Sequence, residues 1–122
     1  MCQILLSIKP KHVENILNGT KKYEYRKYPC KQKPDKILIY STSPVKKIVG
    51  EVAVLDIIRL QKDQLWEITK EYGAINEKDF KTYYNNTDIA IAYKLGEVTE
   101  YDKYKEISEF GLKQPPQSFI YI

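Results

Sequence analysis

Residues 48–60 read IVGEVAVLDIIRL, and this run of valine, isoleucine and leucine decides the fold class. β-branched and aliphatic residues at this density are typical of a β-strand. Gly50 stands near the start of the run, where a glycine predicts a bend or a bulge of the kind that small barrels use at their corners. The run therefore predicts one long, bent strand of a small β-barrel.

Shorter strand and helix patterns flank this run. Apolar residues recur at helical spacing after Pro10, and Asn18-Gly19 supplies the stop of that helix. Strands are predicted over 4–8, 22–28, 36–41, 89–95 and 118–122. The strand over 89–95 extends to 101 if it continues past Gly96. Helices are predicted over 10–17, 64–72 and 77–84. These elements predict an α+β fold: a small β-barrel of about five or six strands with two or three short helices, in a single domain over residues 1–122.

The composition is that of a soluble globular domain. The chain has 122 residues, of which 43% are hydrophobic and 30% charged, and no apolar run approaches the ~20 residues of a transmembrane helix. Residues 1–10 lack the features of a signal peptide. Cys2 and Cys30 are expected to be free thiols, which favours a cytoplasmic location. His12 is the single histidine and is interpreted as a surface residue, so neither a His-based metal site nor a cofactor is expected.

The charge is distributed unevenly along the chain. Up to Gly50 there are 11 Lys and Arg against 3 Asp and Glu, a net charge of +8. From Glu51 onward there are 9 against 13, a net charge of −4, which brings the whole chain to +4. A basic half is what a polyanion-binding surface needs, because Lys and Arg release counterions from phosphates. Lysine-rich loops that merely keep a surface soluble would produce the same asymmetry.

Residues 19–26 read GTKKYEYR and lie between the first predicted helix and the second predicted strand. Side chains alternate along a strand, so Glu24 and Arg26 are expected on one face and the two tyrosines on the other. Glu24 and Arg26 could then form an ion pair or reach the same polar ligand. Gly19 is expected to adopt a positive φ that turns the chain towards Lys21. A solvated edge strand is the alternative interpretation.

The residues Gly19, Lys21, Glu24 and Arg26 reproduce the pattern G-x-K-x-x-E-x-R, and by it the chain resembles the ASCH domain family, a branch of the PUA-like fold. Residues 4–10, 43–51 and 115–121 extend the resemblance over essentially the whole chain. The resemblance implies a PUA-like barrel with a cleft between the barrel and the first helix. It also implies that Lys21, Glu24 and Arg26 line this basic cleft, and that the cleft binds RNA or a modified nucleoside.

Within that cleft each polar side chain would have a specific use. Arg26 can donate bidentate hydrogen bonds to a phosphate or a base edge, and Glu24 can accept from an exocyclic amine or fix Arg26 in place. Lys21 is either a phosphate contact or, if desolvated, a base with a lowered pKa. Serines at the end of the third strand can reach phosphate oxygens, although ordinary turn chemistry explains them too. The predicted ligand-binding residues are Gly19, Lys21, Glu24, Arg26, Ser41 and Ser43.

The resemblance also implies an alternative function as a hydrolase, because ASCH relatives include an N4-acetylcytidine amidohydrolase and ribonucleases. The amidohydrolase motif has a threonine three positions after its lysine, where this chain has Glu24 after Lys21, so the expected nucleophile is missing. For RNA cleavage, Lys21 would stabilise the charged transition state, with Glu24 or Glu51 as the base. Glu51 either points inward with a raised pKa or is an exposed residue at the start of a strand. Lys21, Glu24 and Glu51 are the catalytic candidates if the chain is an enzyme.

A third interpretation is transcription-related regulation, which rests on analogy with larger ASCH-bearing coactivators. The predicted helices over 64–72 and 77–84 are mixed or acidic, so sequence-specific reading of duplex DNA is not expected. The sequence thus favours RNA or a modified nucleoside as the partner, in RNA metabolism or transcription-related regulation, with no membrane and no metal.

Overall fold

The computed structural model describes residues 2–28 and 30–122. Over these residues the chain forms strands, three α-helices and one 3₁₀ helix. In chain order they are β1 (Gln3–Ile8), α1 (Pro10–Leu17), β2 (Tyr23–Arg26), β3 (Lys36–Ser41), β4 (Lys47–Gln61), α2 (Lys62–Thr69), α3 (Glu77–Tyr83), β5 (Ile89–Lys105), the 3₁₀ helix (Ile107–Phe110) and β6 (Phe119–Tyr121).

The strands form one curled, half-barrel sheet in the order β2-β5-β4-β3-β1-β6. β1 and β3 are parallel, whereas β1–β6, β2–β5, β3–β4 and β4–β5 are antiparallel. A parallel pair needs a crossover connection, and the chain supplies one by running through α1 and β2 between β1 and β3. The predicted α+β fold, a small β-barrel of about five or six strands with two or three short helices, is confirmed, with six strands and three α-helices among the described residues.

The long strand predicted over residues 48–60 is β4, and it pairs with β3 on one side and β5 on the other. Its register against β5 shifts between Ile48 and Gly50, which confirms the predicted irregularity at this glycine. A Cβ on Gly50 would lie 3.1 Å from the Cα of Glu100, and closer still to the carbonyl oxygen of Thr99. Glycine is therefore needed here because the backbone of β5 approaches too closely for a side chain.

Several predicted boundaries differ from the observed ones. β2 is shorter than the predicted 22–28, and β5 runs beyond residue 101 to Lys105. α2 begins earlier than predicted, at Lys62, because the side chain of Gln61 accepts hydrogen bonds from the backbone N–H groups of Asp63 and Gln64 and so caps the helix. The 3₁₀ helix was not predicted; it is closed by reciprocal hydrogen bonds between Glu106 and Glu109.

Buried apolar side chains form clusters on both faces of the sheet. The largest packs Val13 and Ile16 of α1 against β1, β3 and β4. A second cluster packs α2 and α3 against β2 and β5, with Phe80 and Tyr84 at its centre. The third lies between the 3₁₀ helix and the opposite face of β1 and β3, so β3 is buried on both faces. The edge strand β2 is consequently flanked by helices, which places its side chains between packed elements rather than in open solvent.

Candidate functional site

A cleft of about 610 Å³ opens where the end of β1, helix α1, strand β2 and the segment around α3 meet. Its walls combine cations, carboxylates and aromatic rings. The lining residues are Ser7, Ile8, Lys9, Lys11, His12, Lys21, Glu24, Tyr25, Arg26, Ala74, Ile75, Asn76, Asp79 and Tyr83. The structure thus brings three of the predicted site residues together, namely Lys21, Glu24 and Arg26.

Lys21 is the most deeply buried cation of this cleft, with only 3% of its surface exposed. Its Nζ donates a hydrogen bond of 2.5 Å to the carbonyl oxygen of Gly73 and lies 4.9 Å from the centre of the Tyr25 ring. Burial is the largest cause of the lowered pKa of Lys21; Glu24 raises this pKa in part, and Arg26 lowers it further. An ammonium held in this way can still donate to a ligand, and it gives up its proton more readily than an exposed lysine does.

Glu24 and Arg26 form an ion pair on the face of β2 that was predicted for them. Arg26 Nη2 lies 2.8 Å and Nε lies 3.0 Å from Glu24 Oε2, and the two side chains are only 15% and 7% exposed. Arg26 Nη2 also donates to the carbonyl oxygen of Ser7 on β1. Both contacts with Glu24 use one carboxylate oxygen, Oε2. The pair is a fixed set of donors and acceptors rather than a pair of mobile surface charges.

Gly19 contributes the backbone turn that delivers Lys21 into the cleft. Its φ is +84°, which confirms the predicted left-handed conformation. After this turn the N–H of Lys21 donates to the carbonyl oxygen of Asn15 on α1. Gly19 itself is not among the lining residues. It acts through conformation, because a residue with a Cβ adopts this φ only with strain.

The segment between α2 and α3 forms a wall of the cleft that the sequence did not reveal. The carbonyl oxygens of Tyr72 and Gly73 accept hydrogen bonds from Lys22 N–H and Lys21 Nζ. A Cβ on Gly73 would lie 2.9 Å from Tyr25 Cζ, and closer still to Tyr25 Oη. The only sequence signal was Gly73 itself, which directly follows the helix predicted over 64–72. Its role depends on a tertiary contact with β2.

His12 also lines the cleft, so its interpretation as a surface residue was wrong. The His12 residue is half-buried, and its Nδ1 atom is enclosed. Among the described residues, Nδ1 has no hydrogen-bond partner. Burial lowers the pKa of His12, and the nearby Lys21 lowers it further. The signal available in the sequence was weak: His12 directly precedes Val13, the first buried residue of α1, and therefore borders the buried face of the helix.

Glu51 lies outside the cleft, on β4. Its Oε2 accepts a hydrogen bond of 2.7 Å from Lys36 Nζ, and its Oε1 accepts one of 2.8 Å from the hydroxyl of Tyr101. The hydrogen bond from Lys36 is the main cause of a lowered pKa of Glu51. Of the two interpretations of Glu51 that the sequence left open, the inward position with a raised pKa is therefore wrong. Cross-strand partners on β3 and β5 engage both oxygens of this carboxylate, and these partners cannot be read from sequence spacing.

Ser41 and Ser43 are not brought to the cleft either. Ser41 is buried in a second cavity of about 420 Å³, which is lined by a different face of α1 through Val13 and Leu17. Ser43 is exposed in the turn that follows β3. Helix α1 separates the two cavities, because Lys11 and His12 face one of them while Val13 faces the other. The structure therefore places both serines away from Lys21.

Residues 2–28 and 30–122 hold neither a cluster of metal ligands nor a membrane-spanning helix. In that part of the chain, no three His, Cys, Asp or Glu side chains are grouped closely enough to hold a metal ion. None of its helices has the length and apolar character needed to cross a membrane. Both cysteines are free thiols.

The fold and the cleft define a small α+β half-barrel protein with a buried lysine and an Arg–Glu pair in a polar cleft. The chain belongs to the ASCH domain family, whose model matches residues 6–117. An ASCH domain-containing ribonuclease from Zymomonas mobilis is 28% identical over 127 residues, which cover 98% of this chain and 84% of that protein. The crystal structure of ASCH from Zymomonas mobilis superposes with a TM-score of 0.89 at 24% identity, covering 98% of this chain and 87% of that chain. This likeness confirms the fold.

Two relatives from Ureaplasma parvum are much longer than the matched region. ATP synthase subunit alpha is 29% identical over 120 residues, and large ribosomal subunit protein uL22 is 27% identical over 121 residues. Each match covers 98% of this chain, but the chain spans only 15% and 39% of those two proteins. Their names describe proteins of which the matched region is a minor part.

Proposed function

We propose that this chain binds single-stranded RNA and that the cleft receives one nucleotide of it. The observation that carries the proposal is the buried ammonium of Lys21 beside the buried Glu24–Arg26 pair, on the wall of an open cleft. Buried charges are expensive for a protein to maintain. A cleft that gathers two buried charges, Lys21 and Glu24, and the partly buried guanidinium of Arg26 is suited to a polar, charged ligand.

The size and rim of the cleft support the same proposal. Its volume of about 610 Å³ falls within the range of ~300–1,000 Å³ that is typical of small-molecule sites. The exposed lysines Lys9 and Lys11 stand at its rim, where they can contact phosphates on either side of a bound nucleotide. The ring of Tyr83 lines the same cleft and offers an aromatic surface to an unstacked base. Bases in a duplex are paired and stacked, so a single strand fits this geometry better.

The cellular setting of this proposal follows from the partner. RNA as the ligand places the chain in RNA metabolism, or in regulation related to transcription, and the free thiols Cys2 and Cys30 suit the cytoplasm. A modified nucleoside is the smaller ligand that the same cleft would take.

The test compares two double variants that change the net charge equally. Lys9→Gln with Lys11→Gln removes two cations at the rim, whereas Lys103→Gln with Lys113→Gln removes two exposed cations away from the cleft. Fluorescence anisotropy with a labelled single-stranded RNA is measured over a series of salt concentrations. Each phosphate contact contributes ~0.7 to the salt slope for a single strand, so the rim variant is expected to lower the slope by about 1.4.

The control variant is expected to bind RNA with unchanged affinity and slope. Equal weakening by the two double variants would show that the overall charge, and not this cleft, attracts the RNA, and the proposal would then be wrong.

Cleavage of RNA is the second candidate function, and the lowered pKa of Lys21 favours it. A buried ammonium next to a bound phosphate stabilises the charge that develops in phosphoryl transfer. The Zymomonas mobilis relative is named a ribonuclease, which agrees with this candidate. Hydrolysis of an acylated cytidine is less well supported, because Glu24 occupies the position expected for threonine and its Oε2 is engaged by Arg26. Labelled RNA on a denaturing gel separates binding from cleavage: intact RNA after long incubation would rule out cleavage.

A further inference from the structure

We propose that His12 marks a phosphate subsite in this cleft, where the neutral imidazole donates a hydrogen bond from Nε2 to a phosphate oxygen held among nearby lysine ammonium groups. This role rests on the proposed binding of a nucleotide in the cleft, and it narrows the ligand class to phosphorylated ligands. A nucleoside without a phosphate is expected to bind more weakly. His12 is not part of the G-x-K-x-x-E-x-R pattern.

The enclosed nitrogen of His12 determines which ring nitrogen carries the hydrogen. Nδ1 is enclosed and has no hydrogen-bond partner among the described residues. A hydrogen on Nδ1 would therefore be a buried N–H donor without an acceptor, which folded proteins avoid because such a group is costly. In the neutral imidazole one nitrogen is a donor and the other an acceptor. The favoured form of the ring thus has its hydrogen on Nε2.

The other nitrogen, Nε2, is the one that a ligand can reach. Over residues 2–28 and 30–122, Nδ1 is the single side-chain nitrogen or oxygen that is both enclosed and unpartnered, so Nε2 is not enclosed. The His12 side chain lines the cleft, and the residue is half-buried. Its accessible edge therefore presents an N–H donor to a ligand. Because this nitrogen already carries a hydrogen, the ring serves in binding and not as a proton acceptor.

Three lysines that line the same cleft supply the charge that selects an anion. Lys9 and Lys11 are exposed, and neither forms a salt bridge with another described residue. The hydrogen bond from Lys21 to Gly73 uses one of the three N–H donors of its ammonium group. A phosphate oxygen is both an acceptor and negatively charged, so it suits an N–H donor that is surrounded by cations.

The same lysines are close enough to act on the imidazole. Burial is the largest cause of the lowered pKa of His12; Lys21, Lys11 and Lys9 lower this pKa further, and Glu24 raises it in part. The ring therefore stays neutral at a pH where the lysines are charged. It can donate to the anion without adding a further positive charge to this crowded site.

The charges that line the cleft do not balance by themselves. Four cations face two carboxylates there, an excess of two positive charges; they are Lys9, Lys11, Lys21 and Arg26 against Glu24 and Asp79. Glu24 is already paired with Arg26, and Asp79 is exposed on α3. A terminal phosphate group carries close to two negative charges at neutral pH, so it would offset this excess. A nucleoside brings no charge and would leave the excess in place.

The experiment uses the different reach of two amide side chains. Glutamine can place its N–H donors near the position of Nε2, whereas the shorter asparagine places them near Nδ1. His12→Gln therefore keeps the donor in the cleft, and His12→Asn removes it. Glu14→Gln is the control, because Glu14 is exposed on the same helix and lines the second cavity. Calorimetry measures the affinity of each protein for inorganic phosphate, the ribonucleoside 5′-monophosphates and the corresponding nucleosides, at a pH above the ordinary histidine value of ~6.5.

We expect at least one 5′-monophosphate to bind wild type more tightly than its nucleoside does, and inorganic phosphate to compete with it. His12→Asn is expected to weaken this binding by about 10–100-fold, the usual effect of losing a hydrogen bond to a charged group, while His12→Gln and Glu14→Gln change it by less than about threefold. A long-range proton–nitrogen spectrum of the single histidine in wild type should show the hydrogen on Nε2, and the Nε2 signal should shift when the 5′-monophosphate is added. This spectrum tests the role of His12 even if its variants do not fold.

Equal affinities of His12→Gln and His12→Asn, whether both are at the wild-type value or both are weakened, would overturn the role of His12. A hydrogen on Nδ1, or nucleosides that bind as tightly as their 5′-monophosphates, would overturn it as well. The proposed RNA binding would stand in each of these cases if the rim variant of Lys9 and Lys11 still weakens it. Absence of RNA binding by wild type would overturn the proposed function itself.

Discussion

Replacement of Gly73 by alanine is the perturbation whose consequences the structure determines most closely. The new Cβ would lie 2.9 Å from Tyr25 Cζ and 3.0 Å from Cε2, and closer still to Oη. Tyr25 cannot easily yield, because its hydroxyl shares a hydrogen bond of 2.7 Å with Thr69 and its ring packs 5.1 Å from that of Phe80. Either this hydrogen bond is lost or the segment that carries the Gly73 carbonyl moves away from Lys21.

The magnitude follows from these alternatives. Overpacking of a buried contact destabilises by about 1–3 kcal/mol, and a lost buried hydrogen bond adds about 1 kcal/mol. The lower entropy of alanine in the unfolded chain offsets about 0.4–1 kcal/mol of this. Gly73→Ala is therefore expected to lower the free energy of unfolding by about 1–3 kcal/mol. It should also weaken RNA binding, because Lys21 Nζ loses the acceptor that positions it.

Urea unfolding supplies the measurement, with Tyr25→Phe as the second arm of a double-mutant cycle. Tyr25→Phe removes the atom nearest to the new Cβ, so Gly73→Ala should destabilise the Tyr25→Phe protein by about 1 kcal/mol less than it destabilises wild type. Gly96→Ala is the control: its Cβ would meet Leu55 Cδ2 at 2.9 Å, but Leu55 is 57% exposed and can turn away. A neutral Gly73→Ala, or strict additivity with Tyr25→Phe, would refute this account of the cleft wall.

Three further predictions concern charged residues. Arg26→Gln leaves Glu24 buried without its partner and is expected to lower stability by about 3 kcal/mol, with partial recovery in the double variant that adds Glu24→Gln, as measured by urea unfolding. Burial places the folded-state pKa of Lys21 below its unfolded value of ~10.4, so between these two values the unfolded chain binds more protons than the folded one. The free energy of unfolding of wild type relative to Lys21→Met should therefore rise with pH in that window. If this free-energy difference falls between pH 7 and 10, the burial of the ammonium is contradicted. The hydrogen bond from Lys36 lowers the pKa of Glu51, so the stability that Glu51 contributes is present above its unfolded pKa of ~4.3 and is lost as pH falls through its folded-state pKa. Glu51→Gln is expected to lower the free energy of unfolding at pH 7 by less than about 1 kcal/mol, because Glu51 and Lys36 are partly exposed. RNA affinity measured by anisotropy should not change.

The elements that could be predicted from the sequence are those that depend on local pattern. The long strand β4, the irregularity at Gly50 and the positive φ of Gly19 each follow from residue type and spacing. The Glu24–Arg26 pair was also foreseeable, because residues two apart on one strand share a face. These features need no knowledge of what packs against them.

The features that the sequence did not reveal depend on contacts between distant segments. Lys21 is positioned by the carbonyl of Gly73, which comes from the segment after α2. Glu51 forms an ion pair with Lys36 of the neighbouring strand β3, and Ser41 lines a cavity on another face of α1. His12 lines the cleft because of the way α1 is rotated about its axis. With only eight residues and two buried positions, Val13 and Ile16, the helix gives too little sequence pattern to predict that rotation. Sequence spacing specifies none of these tertiary neighbours.

Whether RNA binds in the cleft is tested by a nuclear magnetic resonance titration with single-stranded RNA that follows the ring of His12. This residue is the only histidine of the chain, so its ring signals are assigned without ambiguity. RNA bound in the cleft is expected to shift these signals in a saturable way, together with those of the Lys21 and Arg26 side chains, while the amide signal of Ser41 in the second cavity stays in place. Saturable binding that moves Ser41 and leaves His12 unchanged would place the RNA elsewhere and contradict the account.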